Sequence, residues 1–264
     1  GTTVRVSVNN AGNQGDGWSA NASVCADWRY VAFESSASNL VPGDTNARVD
    51  VFVHDRLTDT NTRVSVDSAG NQGDGWSHGP PSMSADGRYV AFYSSAANLV
   101  PGDTNGADDV FVHDRQTGTT TRVSVDGAGS QGNGFSQQAS VSADGRYVAF
   151  ESLATNLVPM DTNGQSDVFL HDRQAGSTTR VSVDSAGSQG DSWSVQVSVS
   201  ANGEFIAFHA HASNLGAGGT SGVGDVFVHD RVAGTLGEPA STAQGPRAMA
   251  RASTRQSALT GGVW

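Results

Sequence analysis

From its start to about residue 233 the chain is filled by short runs of Val, Phe and Tyr interleaved with polar residues, separated by Asp-Gly or Thr-Gly turn pairs. Runs this short, bounded by such turns, predict β-strands joined as hairpins. They also recur. Phe33, Phe92, Phe150 and Phe208 are spaced by 59, 58 and 58 residues, and His54, His113, His171 and His229 keep the same spacing. The chain therefore carries four copies of one unit of about 58 residues. The third copy reads Ala139-Ser-Val-Ser-Ala-Asp-Gly-Arg-Tyr-Val-Ala-Phe-Glu-Ser152, then a long loop, then Asp167-Val-Phe-Leu-His-Asp-Arg173 and Thr178-Thr-Arg-Val-Ser-Val-Asp184.

Within that copy the pattern predicts strands over 139–143, 146–152, 167–172 and 178–184. A four-stranded unit at this period is a propeller blade. One blade cannot bury both of its faces, so it must stack on neighbours. The expected fold is all-β, a β-propeller of four four-stranded blades, with repeats at about 22–66, 81–125, 139–183 and 197–230. The strand count leaves residues 2–8 as an unmatched fourth strand, so the N-terminal strand is expected to complete the last blade and close the ring. The alternatives are a fragment of a larger propeller or a ring closed by a second chain. Small residues on the first strands, Ser23, Ser82, Ser140 and Ser198, suit crowding about an axis. The propeller is thus expected over 1–233, with 234–264 an irregular tail that breaks the pattern.

Composition narrows the partners. The formal charge is -11 and Gly numbers 33, and no run of about 18 apolar residues crosses a membrane. Nucleic acid is therefore excluded as an expected ligand, while cations suit the charge. Cys25 is the single cysteine, so no intrachain disulfide forms. It occupies a Ser position of the repeat with no unique His beside it and is expected to pack.

Ser-Ala-Asp-Gly-Arg-Tyr-Val-Ala-Phe at 84–92 and 142–150, with Asp-Val-Phe-Val-His-Asp-Arg at 109–115, resembles the TolB-type, WD40-like (PD40) propeller repeats. The resemblance implies the propeller fold over residues 1 to about 233 and leaves function open, because such repeats serve scaffolds, peptidase substrate filters and surface proteins. A secreted, periplasmic or cell-surface location is the matching expectation.

Alternating strand direction puts the two long loops of every blade on one face, where function is expected. One loop carries Asp44, Asn46 and Asp50, then Asp103, Asn105 and Asp109, then Asp161, Asn163 and Asp167. Oxygen donors at relative positions 1, 3 and 7 resemble the start of calcium loops, so Ca²⁺ is a candidate cofactor there. The alternative is that these side chains hold the turn and pin the next strand. The fourth copy keeps only Asp225 and is expected to bind no ion. The other long loop carries Asp16, Asp74, Asn133 and Asp191, which would ring a channel mouth as an axial metal or substrate site, or else stay solvated in Gly-rich turns. Trp18, Trp76, Phe135 and Trp193 would stack on a flat ligand, or wedge between blades. The four repeated histidines sit too far from any axis to share an ion.

No nucleophile elbow, zinc-protease helix or phosphate loop occurs, and no catalytic residue is assigned. The leading expectation is a calcium-stabilised, non-catalytic binding or scaffold propeller presenting its long-loop face to a protein or glycan. The alternative is a calcium-dependent hydrolase of esters, lactones or phosphotriesters at the channel mouth.

Overall fold

The computed structural model describes residues 1–216 and 224–237. The first sheet holds β1 (Ser19–Val24), β2 (Tyr30–Ser35), β3 (Asp50–Asp55) and β4 (Thr60–Arg63). The second holds β5 (Ser77–Met83), β6 (Tyr89–Ser94), β7 (Asp109–Asp114) and β8 (Thr119–Arg122). The third holds β9 (Ser136–Val141), β10 (Tyr147–Ser152), β11 (Asp167–Asp172) and β12 (Ser177–Arg180), and the fourth β13 (Ser194–Val199), β14 (Phe205–Ala210), β15 (Asp225–Asp230) and β16 (Thr235–Gly237). Each is an antiparallel meander in chain order, so the predicted four-stranded blade is the unit of the fold. This is an all-β propeller architecture.

The repeat explains how each blade holds together. The two Phe of every copy meet across the second and third strands, with centroids 5.9 Å apart for Phe33 and Phe52 and 6.0 Å for Phe92 and Phe111. Alternate residues of the same strands face the next blade. Val51 and Val53 of the first sheet join Phe92 and Phe111 of the second in one buried cluster. Val110 and Val112 do the same with Phe150 and Phe169. Polar links reinforce this packing. Ala26 N–H donates to the Ala85 carbonyl at 3.0 Å, Ala85 to Ala143 at 2.9 Å, and Ala143 to Ala201 at 2.9 Å. On the first strands, Val141 N–H donates to Ser82 Oγ at 3.0 Å and Val199 N–H to Ser140 Oγ at 3.1 Å, which is why small hydroxyl residues recur there.

A glycine socket completes each joint. A Cβ on Gly87 would lie 2.4 Å from the Tyr30 ring, on Gly145 2.0 Å from Tyr89, and on Gly203 2.1 Å from Tyr147, and all three glycines have positive φ. The ring of one blade thus lies on bare backbone of the next, beside Arg115, Arg173 or Arg231 of that next blade at 4.0–4.4 Å, each of which also donates to the glycine carbonyl. The Asp-Arg pairs therefore link blades and turns, as their repetition suggests. Arg29 chelates Asp55, Arg88 Asp114 and Arg146 Asp172 at 2.7–3.1 Å.

The expected closure by residues 2–8 does not form. The free edge of β15 is taken by β16, pairing Val228 with Gly237 and Asp230 with Thr235. Those residues follow β15 across a tight turn, so their pairing closes a far shorter loop than a strand returning from the N-terminus. Residues 235–237, expected in the tail, are thus a strand, and 238–264 lie outside the described residues. The N-terminal segment instead serves the first blade. Residues 1–7 are in no strand, Val8 bridges Gln14, Asn61 Nδ2 donates to the Val8 carbonyl, and Val6 packs against Phe33, Leu40 and Phe52. Among the described residues the first and fourth sheets share none of the packing that joins consecutive sheets. Val226 and Val228 are accordingly 70% and 37% exposed, where Val51, Val53, Val110 and Val112 are fully covered.

Candidate functional site on the long-loop face

The two long connections of each blade meet on one face, as strand direction requires. At the outer part of that face each acidic loop closes on an arginine and a glutamine of the same repeat. Asp109 is fully buried, with Oδ1 accepting from Ser124 Oγ at 2.6 Å and Oδ2 from Gln131 Nε2 at 2.7 Å. Gln131 also donates to Asp103 at 2.8 Å, and Arg122 Nη1 lies 3.5 Å from Asp103 and 3.2 Å from Asp109. Asn105 spends its amide on the Gly132 carbonyl at 2.8 Å. The arrangement repeats with Asp44, Asn46, Asp50, Arg63 and Gln72, and with Asp161, Asn163, Asp167, Arg180 and Gln189.

This donor set suits a calcium ion poorly. A guanidinium already lies against both carboxylates, and the asparagine turns its amide N–H inward. Among the described residues no group of three or more His, Cys, Asp or Glu converges as a cation site. Burial pushes the carboxyls of Asp50, Asp103 and Asp167 up, opposed by hydrogen bonds and by the arginine. In the fourth blade Asp225 is exposed, and residues 218–223 of its loop lie outside the described residues.

The four axial candidates do not converge. Asp16 accepts from Ser38 N–H at 2.7 Å and Ser38 Oγ at 2.8 Å, and Asp74 accepts from Ala97 N–H at 2.8 Å. Asn133 accepts from Thr155 N–H at 2.8 Å, and Asp191 from Ser213 N–H at 2.6 Å and from Ser213 Oγ. Each side chain caps the neighbouring loop of its own blade. The hydrogen bonds hold Asp16 and Asp191 ionised, below the usual carboxylate range.

The aromatic candidates stand differently. Trp18, Trp76 and Phe135 are 51%, 46% and 51% exposed, so they are not interior wedges. Arg48 lies 5.7 Å from the Trp76 ring, and Trp193 stacks on His211 at 4.0 Å. Just beyond each aromatic the first strand bulges. The residues at the bulge, Asn21, Gln138 and Gln196, have φ of 51°, 54° and 57°, and Gly79 takes the place in the second blade at 81°. Bulges of this kind re-aim side chains and backbone donors.

What the bulges face was missed by reasoning on the repeat. Glu34, Tyr93, Glu151 and His209 hold the same position on the second strand of the four blades, where the repeat changes residue. Glu34 Oε2 accepts from Gly79 N–H at 2.7 Å and Glu151 Oε2 from Gln196 N–H at 3.0 Å. Asp108 accepts from Gln137 Nε2 at 2.6 Å. Burial first, and then the charges of Asp108, Glu34 and Glu151, push the Tyr93 hydroxyl up. Three blades thus place carboxylates around one phenol. His78 links this group to the exposed rim, 4.7 Å from Tyr93 and 6.2 Å from Trp76. The signal for it in the sequence is variation at one register position inside an otherwise constant strand.

The remaining candidates are structural. His113 and His171 share 2.9 Å hydrogen bonds with Thr120 and Thr178, deep in the outer half of their blades, and burial pushes both imidazoles down. Cys25 repeats the bonds of Ser84, donating to Asp27 at 2.9 Å and accepting from Tyr30 N–H at 3.1 Å. Burial pushes its thiol up, which suits a packed group.

The four antiparallel sheets define a β-propeller built from tandem four-stranded blades. In fold it is TolB-like. TolB from Acinetobacter baumannii superposes with a TM-score of 0.52 at 20% identity, over 83% of this chain and 43% of that one. A putative TolB from Agrobacterium tumefaciens gives 0.52 at 14% identity over 82% and 63%, and a Mycobacterium tuberculosis puromycin-hydrolyzing peptidase 0.50 at 13% over 87% and 30%. The chain spans between about a third and two thirds of the length of these structures. No protein-family model matches the sequence, and no curated protein does.

Proposed function

We propose that this chain is a non-catalytic binding or scaffold propeller that presents its long-loop face to a protein or glycan. The observation that carries the reading is the uncovered aromatic side chain at the same place in three blades, Trp18, Trp76 and Phe135, each about half exposed. Aromatic faces of this kind bind flat apolar surfaces, whether a sugar ring or a partner side chain. The same face carries the carboxylates of Glu34, Asp108 and Glu151, each bonded through one or both oxygens to Asn21, Gly79, Gln137 or Gln196, and their negative charge favours a cationic or polyhydroxyl ligand. The frame is held, in this reading, by its Asp–Arg–Gln clusters in place of calcium. A secreted, periplasmic or cell-surface location belongs to the same proposal.

The hydrolase reading has less to stand on. An axial ion needs converging free oxygens, and Asp16, Asp74, Asn133 and Asp191 are each committed to a loop of their own blade. The test is a glycan array and a peptide library probed with the full chain and with a Trp18→Ala, Trp76→Ala variant. Binding at least tenfold weaker in the variant is expected. Ligands held equally by both proteins would remove the aromatic rim from the account, and metal-dependent turnover of activated esters would restore the hydrolase.

A further inference from the structure

The fourth blade departs from the other three at three places that meet in space. His209 stands where they have Glu34, Tyr93 and Glu151, and His211 where they have Ser36, Ser95 and Leu153. Gly224 stands where they have Val49, Asp108 and Ser166. His209 lies on β14 and His211 follows its end at i+2, so the two imidazoles project from the same side of one extended segment. Their centroids are 5.1 Å apart with the rings at 87°.

The two Nε2 atoms come close to one another beside Gly224. A Cβ built on residue 224 would lie 2.0 Å from His209 Nε2 and 2.6 Å from His211 Nε2, so only glycine leaves room for the two nitrogens to come together. Trp193 buttresses the pair, stacked on His211 at 4.0 Å and edge-on to His209 at 5.3 Å. Among the described residues no hydrogen bond or ion pair engages either ring, whereas His113 and His171 are both satisfied. Two neighbouring imidazole nitrogens, held in place by Trp193 and unengaged by any hydrogen bond among the described residues, have the makings of a chelate.

We infer that His209 and His211 are a two-nitrogen site for a borderline transition-metal cation such as Zn²⁺ or Ni²⁺, its other positions left to water or to a bound ligand. Imidazole suits these ions, with metal–nitrogen distances of ~2.0–2.1 Å, and does not suit Ca²⁺. The site adjoins the long-loop face through Trp193, so a metal held there lies beside the proposed binding rim without depending on it.

The experiment is titration of Zn²⁺ and Ni²⁺ into the full chain by calorimetry, with imidazole ¹H–¹⁵N correlations recorded alongside. One ion per chain is expected, moving the ring signals of His209 and His211 and leaving the other five of the seven histidines in place. His209→Ala and His211→Ala should each weaken binding at least tenfold. Gly224→Ala should do the same with both imidazoles retained, while His78→Gln leaves affinity unchanged. Both rings are partly exposed, so the variants should fold, and far-ultraviolet circular dichroism checks this. Absence of saturable binding to the wild type, or equal binding by the His209→Ala, His211→Ala double variant, overturns the inference.

Discussion

Replacing Gly145 by alanine tests the joint on which the blade stack depends. Gly145 has a φ of 74°, and a Cβ there would lie 2.0 Å from the Tyr89 ring. The ring also lies between two arginines, Arg173 at 4.4 Å, itself bonded to the Gly145 carbonyl, and Arg88 at 4.8 Å, so it cannot shift without disturbing those contacts. Holding an alanine in the left-handed region costs about 1 kcal/mol. Displacing a packed ring adds about 1–3 kcal/mol. Loss of the arginine contact adds about 0.5–1 kcal/mol. Gly145→Ala should therefore destabilise the chain by about 3 kcal/mol, read from urea unfolding followed by tryptophan fluorescence and by circular dichroism. A double-mutant cycle separates the causes: with Tyr89→Ala already present, only the backbone cost should remain, leaving a coupling of about 2 kcal/mol. The first blade supplies an internal comparison, because Trp28 sits at the equivalent position with a φ of 66° and 68% exposure, where no preceding ring lies. Additive costs in the cycle, or a loss under about 1 kcal/mol for Gly145→Ala alone, would refute the socket.

Three further outcomes follow from the polar clusters. Melting curves with Ca²⁺ and with chelator should superimpose, whereas an ion held by the native state at 100 times its dissociation constant would add about 2.7 kcal/mol. Arg122→Met leaves Asp103 and Asp109 buried without their cation and should cost about 3–5 kcal/mol at neutral pH; burial already raises the Asp103 carboxyl above its unfolded value, so acidification, which neutralises it, should recover part of the loss. Asp55 and Asp172 are held at about 2 by Arg29 and Arg146, and Asp114 lower still by Arg88. Their contribution is present above the unfolded value of ~3.9 and disappears as pH falls towards the folded value. Arg88→Gln should therefore destabilise the chain at neutral pH, by an amount that shrinks as pH falls below ~3.9 towards the folded value of Asp114, as measured by urea unfolding at each pH.

The blades were legible because a repeat writes its own boundaries: Phe33 to Phe208 and His54 to His229 set the period, and Asp-Gly turns mark the hairpins. Strand starts were less so. The first strand of the third blade begins at Ser136, before the expected 139, because the bulge at Gln138 is a two-against-one pairing that alternation does not show. The competition for the edge of β15 was hidden altogether. Residues 2–8 carry the right pattern, but Thr235–Gly237 sit next to that edge along the chain. At the loops, the oxygen donors were visible and their partner was visible too, in the Arg of Thr-Arg-Val-Ser-Val and the Gln of the following loop, which accompany the acidic trio in all three blades that have it. Reading each loop alone suggested an ion; reading the repeat as a set of mutually charged positions points to a clamp. The central group around Tyr93 lay at positions that the repeat does not fix, which averaging over copies conceals.

The blade order and the place of the N-terminal segment are tested most directly by amide hydrogen exchange on a variant lacking residues 1–10. The segment grips Asn61 of β4 through Asn10 at 2.7 Å and covers Phe33 and Leu40 through Val6. Faster exchange confined to the first blade, with the amides of Asp225–Asp230 as protected as in the full chain, is the predicted result. Loss of protection in β15, with the first blade unchanged, would show that residues 2–8 complete the fourth blade after all.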